Sequence, residues 1–273
     1  MQVDVFSARP FSGNPVAVVL DGTGLSAEQM QEVARWTNLS ETTFVLAPTT
    51  EEADYLLRIF TPQAELPFAG HPTLGSARAW LEAGGTPRRG GRIVQECGAG
   101  LVTVRRQGED LAFAAPPRIR VGGLDDAYRE RITAALGIRR EQVLDHQWVD
   151  NGPGWAVVQL ATAREVLDLE PDLSLIPEAM VGAIGAHPVG GEYRYEMRTF
   201  APGAGVAEDP ACGSMSAGVA QWLTASGAAP AAYRVSQGSR VGRDASISVS
   251  ADGDGTVWVG GDTSVLIRGT IAL

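Results

Sequence analysis

One acidic side chain of this chain stands at the entrance of an apolar strand. Glu41 lies in the segment Asn38-Leu-Ser-Glu-Thr-Thr-Phe-Val45, between a predicted helix end and a predicted strand. A carboxylate beside Leu39 and Phe44 would be partly desolvated, which raises its pKa towards the range that a general acid or base needs. The alternative is a solvated acid at the start of a strand. Glu41 is therefore a candidate acid/base residue.

Two further segments place small and polar residues at the start of a helix. They are Gly70-His71-Pro72-Thr73 and Asp209-Pro210-Ala211-Cys212-Gly213-Ser214. The first turn of a helix leaves backbone N–H groups without partners, and the helix dipole adds positive potential there, so each start is a potential anion site. If both starts face one cleft, they could hold a small carboxylate and acidify the neighbouring C–H. The alternative is simple capping, in which Asp209 and Ser214 satisfy the helix donors.

A histidine and two cysteines complete the reactive side chains. His71 at a helix N-terminus is expected to stay neutral, which suits a hydrogen-bond donor or proton shuttle, although a lone histidine is often structural. Cys97 and Cys212 lie far apart and the chain has only three histidines, so neither a disulfide framework nor a zinc site is indicated. We expect Cys97 to be structural. The sequence predicts no metal and no cofactor.

Charge and composition exclude several classes of partner. The 273 residues carry a formal net charge of −10, so a nucleic acid or an anionic membrane surface would be repelled on average. No stretch reaches the roughly 18 apolar residues of a membrane-spanning helix. Asp4 stands where a signal peptide would be basic. These features predict a globular cytoplasmic protein whose partner is a small molecule.

Short strands and helices are predicted along the whole chain. Ser26 and Gln29 have the spacing of a capping box and open an amphipathic helix that ends near Asn38. The β-rich segments 42–47 and 55–60 form a predicted hairpin. The first two predicted strands, 3–6 and 16–20, flank a turn at Gly13-Asn14-Pro15.

The chain also contains an internal repeat. Arg58-Ile-Phe-Thr-Pro62 matches Arg198-Thr-Phe-Ala-Pro202, and each copy is followed by a loop and a small-residue helix that ends in Trp-Leu. Both helices are apolar nearly all round, which indicates burial. The predicted fold class is α+β, with two pseudo-symmetric lobes that each wrap a curved, mostly antiparallel sheet round a central helix. The N-terminal lobe covers residues 1–117, completed by a strand at 263–273, and the C-terminal lobe covers 118–262.

Taken together, these motifs resemble the PhzF-like proteins of phenazine biosynthesis along almost the whole chain. The resemblance rests on Gly13-Asn14-Pro15, Asn38 to Phe44, Arg58 to Pro62, Gly70-His71-Pro-Thr-Leu-Gly75, Cys97 to Val102, Glu208-Asp209-Pro-Ala-Cys-Gly213-Ser214, and Gln237-Gly238 with Gly242-Arg243, all in the family's order.

The resemblance implies a diaminopimelate-epimerase-like fold and a cofactor-independent isomerase that moves a proton on a small cyclic carboxylate, of the trans-2,3-dihydro-3-hydroxyanthranilate isomerase type. It implies a homodimer in secondary metabolism, in phenazine or other antibiotic biosynthesis. Glu41 matches the acid/base residue of the family, and His71 and Asp209 match residues that support proton transfer. The substrate-binding residues implied or predicted are Asn14, Gly70, Thr73, Cys212, Gly213 and Ser214.

One departure from related epimerases matters for the mechanism. Epimerases of this fold carry a cysteine at each helix start, whereas this chain has Ala69-Gly70-His71 at the first. A two-thiol mechanism is therefore excluded. Cys212 is expected to be a pocket-wall residue with some reactivity, because a helix N-terminus lowers a thiol pKa. Two alternatives stay open: a one-base or mixed Cys/Glu amino-acid epimerase, and a metabolite-binding protein without turnover.

Overall fold

The computed structural model describes residues 1–272. Seventeen strands in these residues belong to one mixed sheet. The first half of the chain contains β1 (Gln2–Val5), β2 (Asn14–Val19), α1 (Ala27–Thr37), β3 (Glu41–Leu46), β4 (Tyr55–Phe60), β5 (Glu65–Leu66), α2 (Gly70–Glu82), β6 (Arg92–Cys97), β7 (Gly100–Gln107) and β8 (Asp110–Ala114). The second half contains α3 (Asp126–Leu136), β9 (Asp145–Trp148), β10 (Ala156–Thr162), α4 (Ala163–Leu167), β11 (Val181–Ala186), β12 (Tyr195–Ala201), β13 (Val206–Asp209), α5 (Gly213–Ala225), β14 (Ala232–Gln237), β15 (Ala245–Ala251), β16 (Val257–Gly261) and β17 (Thr263–Ile267).

The pairing of strands follows the same plan in both halves of the chain. Most neighbours are antiparallel, and the parallel pairs are β2 with β3 and β4 with β6 in the first half, and β10 with β11 and β12 with β14 in the second. The two halves of the sheet are joined by antiparallel pairing of β8 with β16. The predicted α+β class, with a mostly antiparallel sheet in two similar lobes, is confirmed.

Each half of the sheet packs on one buried helix. Helix α2 contacts β1, β2, β3, β8 and β17, and helix α5 contacts β15 and β16. Ten residues of α5 are buried, which agrees with its apolar sequence. Burial of so many side chains fixes both helices firmly against the sheet, so their N-terminal ends are held at defined positions.

The local predictions around Glu41 are confirmed. Ser26 and Gln29 form a capping box at the start of α1, and the helix ends at Asn38 in the left-handed conformation with φ of 52°. Three residues later β3 begins and pairs in a hairpin with β4. The helix end and the strand start thus place Glu41 at the first position of β3.

The internal repeat is visible as a duplicated ion pair. Arg58 donates two hydrogen bonds to Glu65 at 2.7 and 2.6 Å, and Arg198 donates two to Glu208 at 2.9 and 2.8 Å. Each guanidinium also lies over the phenylalanine two residues later, 5.1 and 5.0 Å from the ring centre. Bidentate pairs of this kind fix the geometry of both partners. In each half they fasten the strand that precedes the buried helix.

The C-terminal strand differs in length from its prediction. The sequence predicts a strand over 263–273, whereas β17 covers Thr263–Ile267 and pairs antiparallel with β1. The strand ends where the chain becomes exposed, at Arg268 and Gly269. Leu273 lies outside the described residues. The division of the chain into lobes at residue 117 stays a prediction. No helix within residues 1–272 is long and apolar enough to cross a membrane.

Candidate active site

Helices α2 and α5 meet at their N-terminal ends. A Cβ atom added to Gly70 would lie 2.6 Å from the carbonyl carbon of Gly213 and 2.7 Å from the nitrogen of Ser214. No side chain larger than that of glycine fits there without moving backbone. The expectation that both helix starts face one cleft is therefore confirmed. Neither start is capped by a side chain, since the N-cap residues are Ala69 and Cys212 and neither makes a capping bond.

A small cavity lies at this meeting point. Its walls are Glu41, Thr61, Leu66, Ala69, Gly70, His71, Pro153, Trp155, Met180, Ala201, Ala204, Val206, Asp209, Cys212, Gly213 and Ser214. The ionisable groups among them are two carboxyls, one imidazole and one thiol, and the remaining wall is mostly apolar. The cavity is narrow, with a volume of about 20 Å³.

Glu41 and His71 face each other in this cavity. The Oε2 atom of Glu41 lies 3.3 Å from Nε2 of His71, yet neither atom has an aligned hydrogen-bond partner in residues 1–272. Glu41 is only 8% exposed, so the alternative of a solvated acid is wrong. Burial raises the pKa of Glu41 well above its usual value, and the charge of Asp209 adds to that rise.

The imidazole of His71 is neutral at physiological pH. Burial lowers the pKa of His71 to about 3, against a small opposing effect of the Pro15 carbonyl. The expected neutral state is therefore right, but desolvation is its main cause rather than the helix dipole. A neutral imidazole can donate one hydrogen bond and accept another, depending on its tautomer.

Asp209 enters the cavity from the opposite half of the chain. Its Oδ1 atom accepts hydrogen bonds from Nδ2 of Asn14 at 2.6 Å and from the N–H of Ala211 at 3.0 Å. Burial raises the pKa of Asp209 to about 6, although the bonds from Ala211, Cys212 and Asn14 oppose the shift. Asp209 therefore changes its protonation state close to neutral pH. It does not cap α5, so the capping alternative is wrong for this residue.

Asn14 joins the two halves behind the cavity. Its amide nitrogen also lies 3.1 Å from Nδ1 of His71 and donates to the carbonyl of Ala211 at 3.0 Å. The side chain is fully buried but is not part of the cavity wall. Asn14, predicted to bind substrate, thus links His71 to Asp209, and its own carbonyl oxygen lacks a partner in the described residues.

Ser214 belongs to the cavity wall, whereas Thr73 does not. The hydroxyl of Ser214 accepts a hydrogen bond of 2.9 Å from the indole N–H of Trp155, so Ser214 does not cap α5. The hydroxyl of Thr73 donates to the carbonyl of Ala69 and accepts from the amide of Gln95. Thr73 faces the core, because the fourth residue of α2 points away from the cavity. Its predicted contact with substrate is not supported.

The thiol of Cys212 differs from its prediction. It lines the cavity as expected, but burial and the charge of Asp209 raise its pKa well above the usual value. The expectation that the helix N-terminus lowers this pKa is wrong, because desolvation outweighs the dipole. Cys97 is buried and donates to the carbonyl of Gly100 at 3.5 Å. Burial raises the pKa of the Cys97 thiol as well.

The internal repeat accounts for most of the cavity wall. Residues at equal offsets from the repeated Arg-Glu pair line the cavity in both halves, and so do residues at equal offsets from the two helix starts. The same holds for the residue just before the first pair between β3 and β4 and the residue just before the first pair between β11 and β12. The six pairs are Glu41 with Met180, Thr61 with Ala201, Leu66 with Asp209, Ala69 with Cys212, Gly70 with Gly213, and His71 with Ser214. Each ionisable residue is matched by an uncharged one, so the two halves of the cavity are chemically unequal.

This pairing identifies residues that sequence reasoning missed. Met180 and Leu66 are apolar and carried no chemical signal, yet each occupies the position that mirrors a buried carboxyl. Sequence reasoning also assigned no role to Trp155, which lines the cavity and donates to Ser214. Alignment of the repeat outward from its Arg and Glu residues would have found Leu66, and Met180 required the register of the strands.

Comparison with known proteins shows the family of the chain. The PhzC-PhzF family, described as phenazine biosynthesis-like proteins, matches residues 3–273. The chain belongs to the PhzC-PhzF family. The earlier resemblance to PhzF-like proteins is thereby confirmed.

Relatives of known name cover almost the full chain. Antisense-enhancing sequence 1 of Schizosaccharomyces pombe is 41% identical, over 98% of this chain and 96% of its own length. Trans-2,3-dihydro-3-hydroxyanthranilate isomerase of Pseudomonas chlororaphis is 35% identical, over 99% of this chain and 98% of its own. The prediction that the chain is an isomerase is confirmed by relatives of the second kind.

Solved structures agree with the fold. A PhzF-family phenazine biosynthesis protein of Enterococcus faecalis superposes with a TM-score of 0.80 at 24% identity, over 100% of this chain and 98% of its own. A probable proline racemase of Agrobacterium radiobacter superposes with a TM-score of 0.66 at 15% identity, over 100% of this chain and 92% of its own. The PhzC-PhzF chain therefore has the predicted diaminopimelate-epimerase-like fold.

Proposed function

We propose that this PhzC-PhzF protein is a cofactor-independent isomerase that shifts a proton on a small, cyclic, carboxylate-bearing metabolite. The observation that carries the proposal is the buried pair formed by Glu41 and His71 beside the joined helix starts. The Oε2 atom of Glu41 and the Nε2 atom of His71 are 3.3 Å apart, and neither atom has an aligned hydrogen-bond partner in the described residues. The relative in Pseudomonas chlororaphis, a trans-2,3-dihydro-3-hydroxyanthranilate isomerase by name, supports a ring substrate of that type.

The proposed binding mode uses the backbone of the helix starts. The N–H groups near Gly70 and Gly213 are uncapped by side chains, and both helix dipoles point their positive ends at the same place. A substrate carboxylate bound there would lose electron density to these donors. The C–H bond next to it then becomes more acidic.

Proton transfer is assigned to Glu41. Its carboxylate takes the proton from the acidified carbon, and the electron pair left behind spreads into the conjugated system of the substrate. Glu41 then delivers a proton to a different carbon, so substrate and product differ only in the position of one hydrogen and of the double bonds. Because the Glu41 carboxyl group exchanges its proton with solvent between the two steps, the product formed in deuterated water carries deuterium. The raised pKa of Glu41 suits both steps, because a strongly acidic carboxyl would hold the proton too weakly. His71 and Asp209 orient the substrate and support the transfer.

The test compares wild type with Glu41→Gln on trans-2,3-dihydro-3-hydroxyanthranilate in deuterated water, followed by proton NMR. We expect Glu41→Gln to fold normally and to lower turnover by about two to four powers of ten. The exposed Glu52 provides the matched control, since Glu52→Gln should keep wild-type turnover. Near-normal turnover in a folded Glu41→Gln variant refutes the role of Glu41. An inactive wild type refutes this substrate, and a thermal-shift screen of small cyclic carboxylates then identifies a replacement.

The same assay separates the isomerase from a mixed Cys/Glu epimerase. The raised pKa of Cys212 disfavours a thiolate base, so Cys212→Thr should keep most of the turnover. A Cys212→Thr variant that binds the substrate but no longer incorporates deuterium would establish the epimerase mechanism instead. Dialysis against a chelator should change nothing, because the proposed steps use no metal. Binding without turnover in wild type would point to a metabolite-binding protein.

The cellular setting is part of the proposal. We place the protein in the cytoplasm, as a homodimer that acts in secondary metabolism of the phenazine or antibiotic type. Only small molecules are proposed as ligands, and the net charge of −10 supports the exclusion of nucleic acid and membrane surfaces.

A further inference from the structure

The side chain of Gln237 spans the turn that leads from Asp209 into helix α5. Its Nε2 atom donates a hydrogen bond of 2.8 Å to the carbonyl of Asp209, and its Oε1 atom accepts one of 3.1 Å from the N–H of Cys212. Gln237 is 2% exposed. The nitrogen and the oxygen of this buried amide thus hold the first and the last residue of the four-residue turn from Asp209 to Cys212. An unpaired polar atom at this depth would lower the stability of the fold.

The residue after Gln237 supports the middle of the same turn. Gly238 has φ of +98°, and a Cβ atom added to it would lie 2.5 Å from the carbonyl oxygen of Pro210. Only glycine combines this backbone conformation with so close an approach. Gln237 and Gly238 at the end of β14 therefore contact the turn at its first residue, in its middle and at its last residue.

The turn carries two parts of the cavity at once. Its first residue is Asp209, whose carboxyl group faces Asn14 and the cavity. Its last residue, Cys212, is the N-cap of α5, so the turn also sets where the first N–H groups of that helix point. A shift of the turn would move the carboxyl group and the helix start together.

We infer that Gln237 is a positioning residue, which holds Asp209 and the first turn of α5 in one fixed arrangement in the cavity. The inference rests on the proposed function for the meaning of that arrangement. Gln237 itself does not line the cavity, so it acts through Asp209 and the backbone rather than on the substrate.

The test uses Gln237→Met, which keeps the length and volume of the side chain and removes both hydrogen bonds. The measurement is the carboxyl ¹³C shift of Asp209 from about pH 3 to about pH 9 in aspartate-labelled protein, with the signal assigned by its loss in Asp209→Asn. We expect the pKa of Asp209 to move by about one unit from its wild-type value, because both the desolvation of its carboxyl group and its hydrogen bonds from Ala211, Cys212 and Asn14 depend on the position of the turn. The ionisable neighbours Glu41, Cys212 and Glu208 are the same in both proteins.

The matched control is Gln221→Met. Gln221 lies on α5 and donates to the carbonyl of Pro116 at 3.0 Å, outside the cavity, so its loss should lower the melting temperature without moving the titration of Asp209. A pKa of Asp209 in Gln237→Met that equals the wild-type value overturns the inference. If Gln237→Met does not fold, Gln237→Asn is measured by the same criterion. If neither folds while Gln221→Met does, Gln237 is a folding residue and the inference is overturned.

No substrate is present in this experiment. Its outcome is therefore independent of the turnover of Glu41→Gln, and a failure of the proposed function leaves the titration of Asp209 interpretable.

Discussion

Burial controls the protonation of the ionisable residues in the cavity. Desolvation favours the neutral form of every one of them, so it raises the pKa of Glu41 and Asp209 and lowers that of His71. No lysine or arginine among the described residues belongs to the wall of this cavity. The two carboxyls therefore titrate as a pair, in which a proton gained by one changes the affinity of the other.

This costly burial leads to a prediction for Asp209→Asn. A carboxyl with a pKa near 6 when folded and about 3.9 when unfolded binds its proton more tightly in the folded state. Its contribution to stability is complete below about pH 4 and is lost as the pH rises to about 6. The asparagine side chain has no proton to lose, so the gain in melting temperature of Asp209→Asn over wild type should be larger at pH 8 than at pH 4.5.

Calorimetry at the two pH values measures this difference, which should reach about 1–3 kcal/mol in the free energy of unfolding at pH 8. Asp150→Asn is the control. Asp150 is also buried and accepts hydrogen bonds from the N–H groups of Gly152 and Gly154, but it lies outside the cavity. The melting temperature of Asp150→Asn should not exceed that of wild type at either pH. Equal melting temperatures for wild type and Asp209→Asn at pH 8 would contradict the argument.

At the scale of elements, the contact between α2 and α5 is the most sensitive point of the fold. In Gly70→Ala the new methyl group would lie 2.6 Å from backbone of Gly213, and no side-chain rotation relieves that contact. We expect a loss of about 1–3 kcal/mol in stability, as for other overpacked sites, and a weaker anion site. Urea unfolding measures the loss. Gly90→Ala, with no atom within 4 Å of its added Cβ, should be near neutral, and equal stability of the two variants would show that the helices separate freely.

Much of this arrangement could be predicted from local sequence. The capping box at Ser26, the hairpin after Glu41 and the two apolar helices each have a signal within a few residues, because backbone preferences and periodicity are local. The contacts of Asn14 could not be predicted, since its partner Asp209 is nearly two hundred positions away. The position of Thr73 outside the cavity wall could not be predicted either, because the face of a helix start that meets the cavity depends on packing. The raised pKa of Cys212 could not be predicted, because the sequence does not give the depth at which the thiol is buried. Burial affects this pKa more than the helix dipole does.

At the scale of the whole molecule, the small volume of the cavity implies that its walls move when a substrate enters. The cavity volume of about 20 Å³ has room for roughly one water molecule. Pockets that bind ring-sized ligands have volumes of about 300 Å³ or more. A cyclic substrate therefore enters only if the walls from the two halves of the chain move apart. We expect the radius of gyration to change when the protein is saturated with the ring carboxylate that gives the largest thermal shift, because the cavity of the free protein is too small for a ring. Small-angle scattering that detects no change on saturation would contradict this expectation.

The pairing of β1 with β17 has a consequence during synthesis. Val5 is opposite Thr263 and Val3 is opposite Val265, so β1 is translated about 260 residues before β17, which pairs with it. Helix α2 packs against both. Until β17 is translated, β1 keeps an open edge that can pair with a strand of another nascent chain. Chains stalled before Thr263 are thus expected to need chaperone protection, whereas chains that include β17 cover that edge themselves.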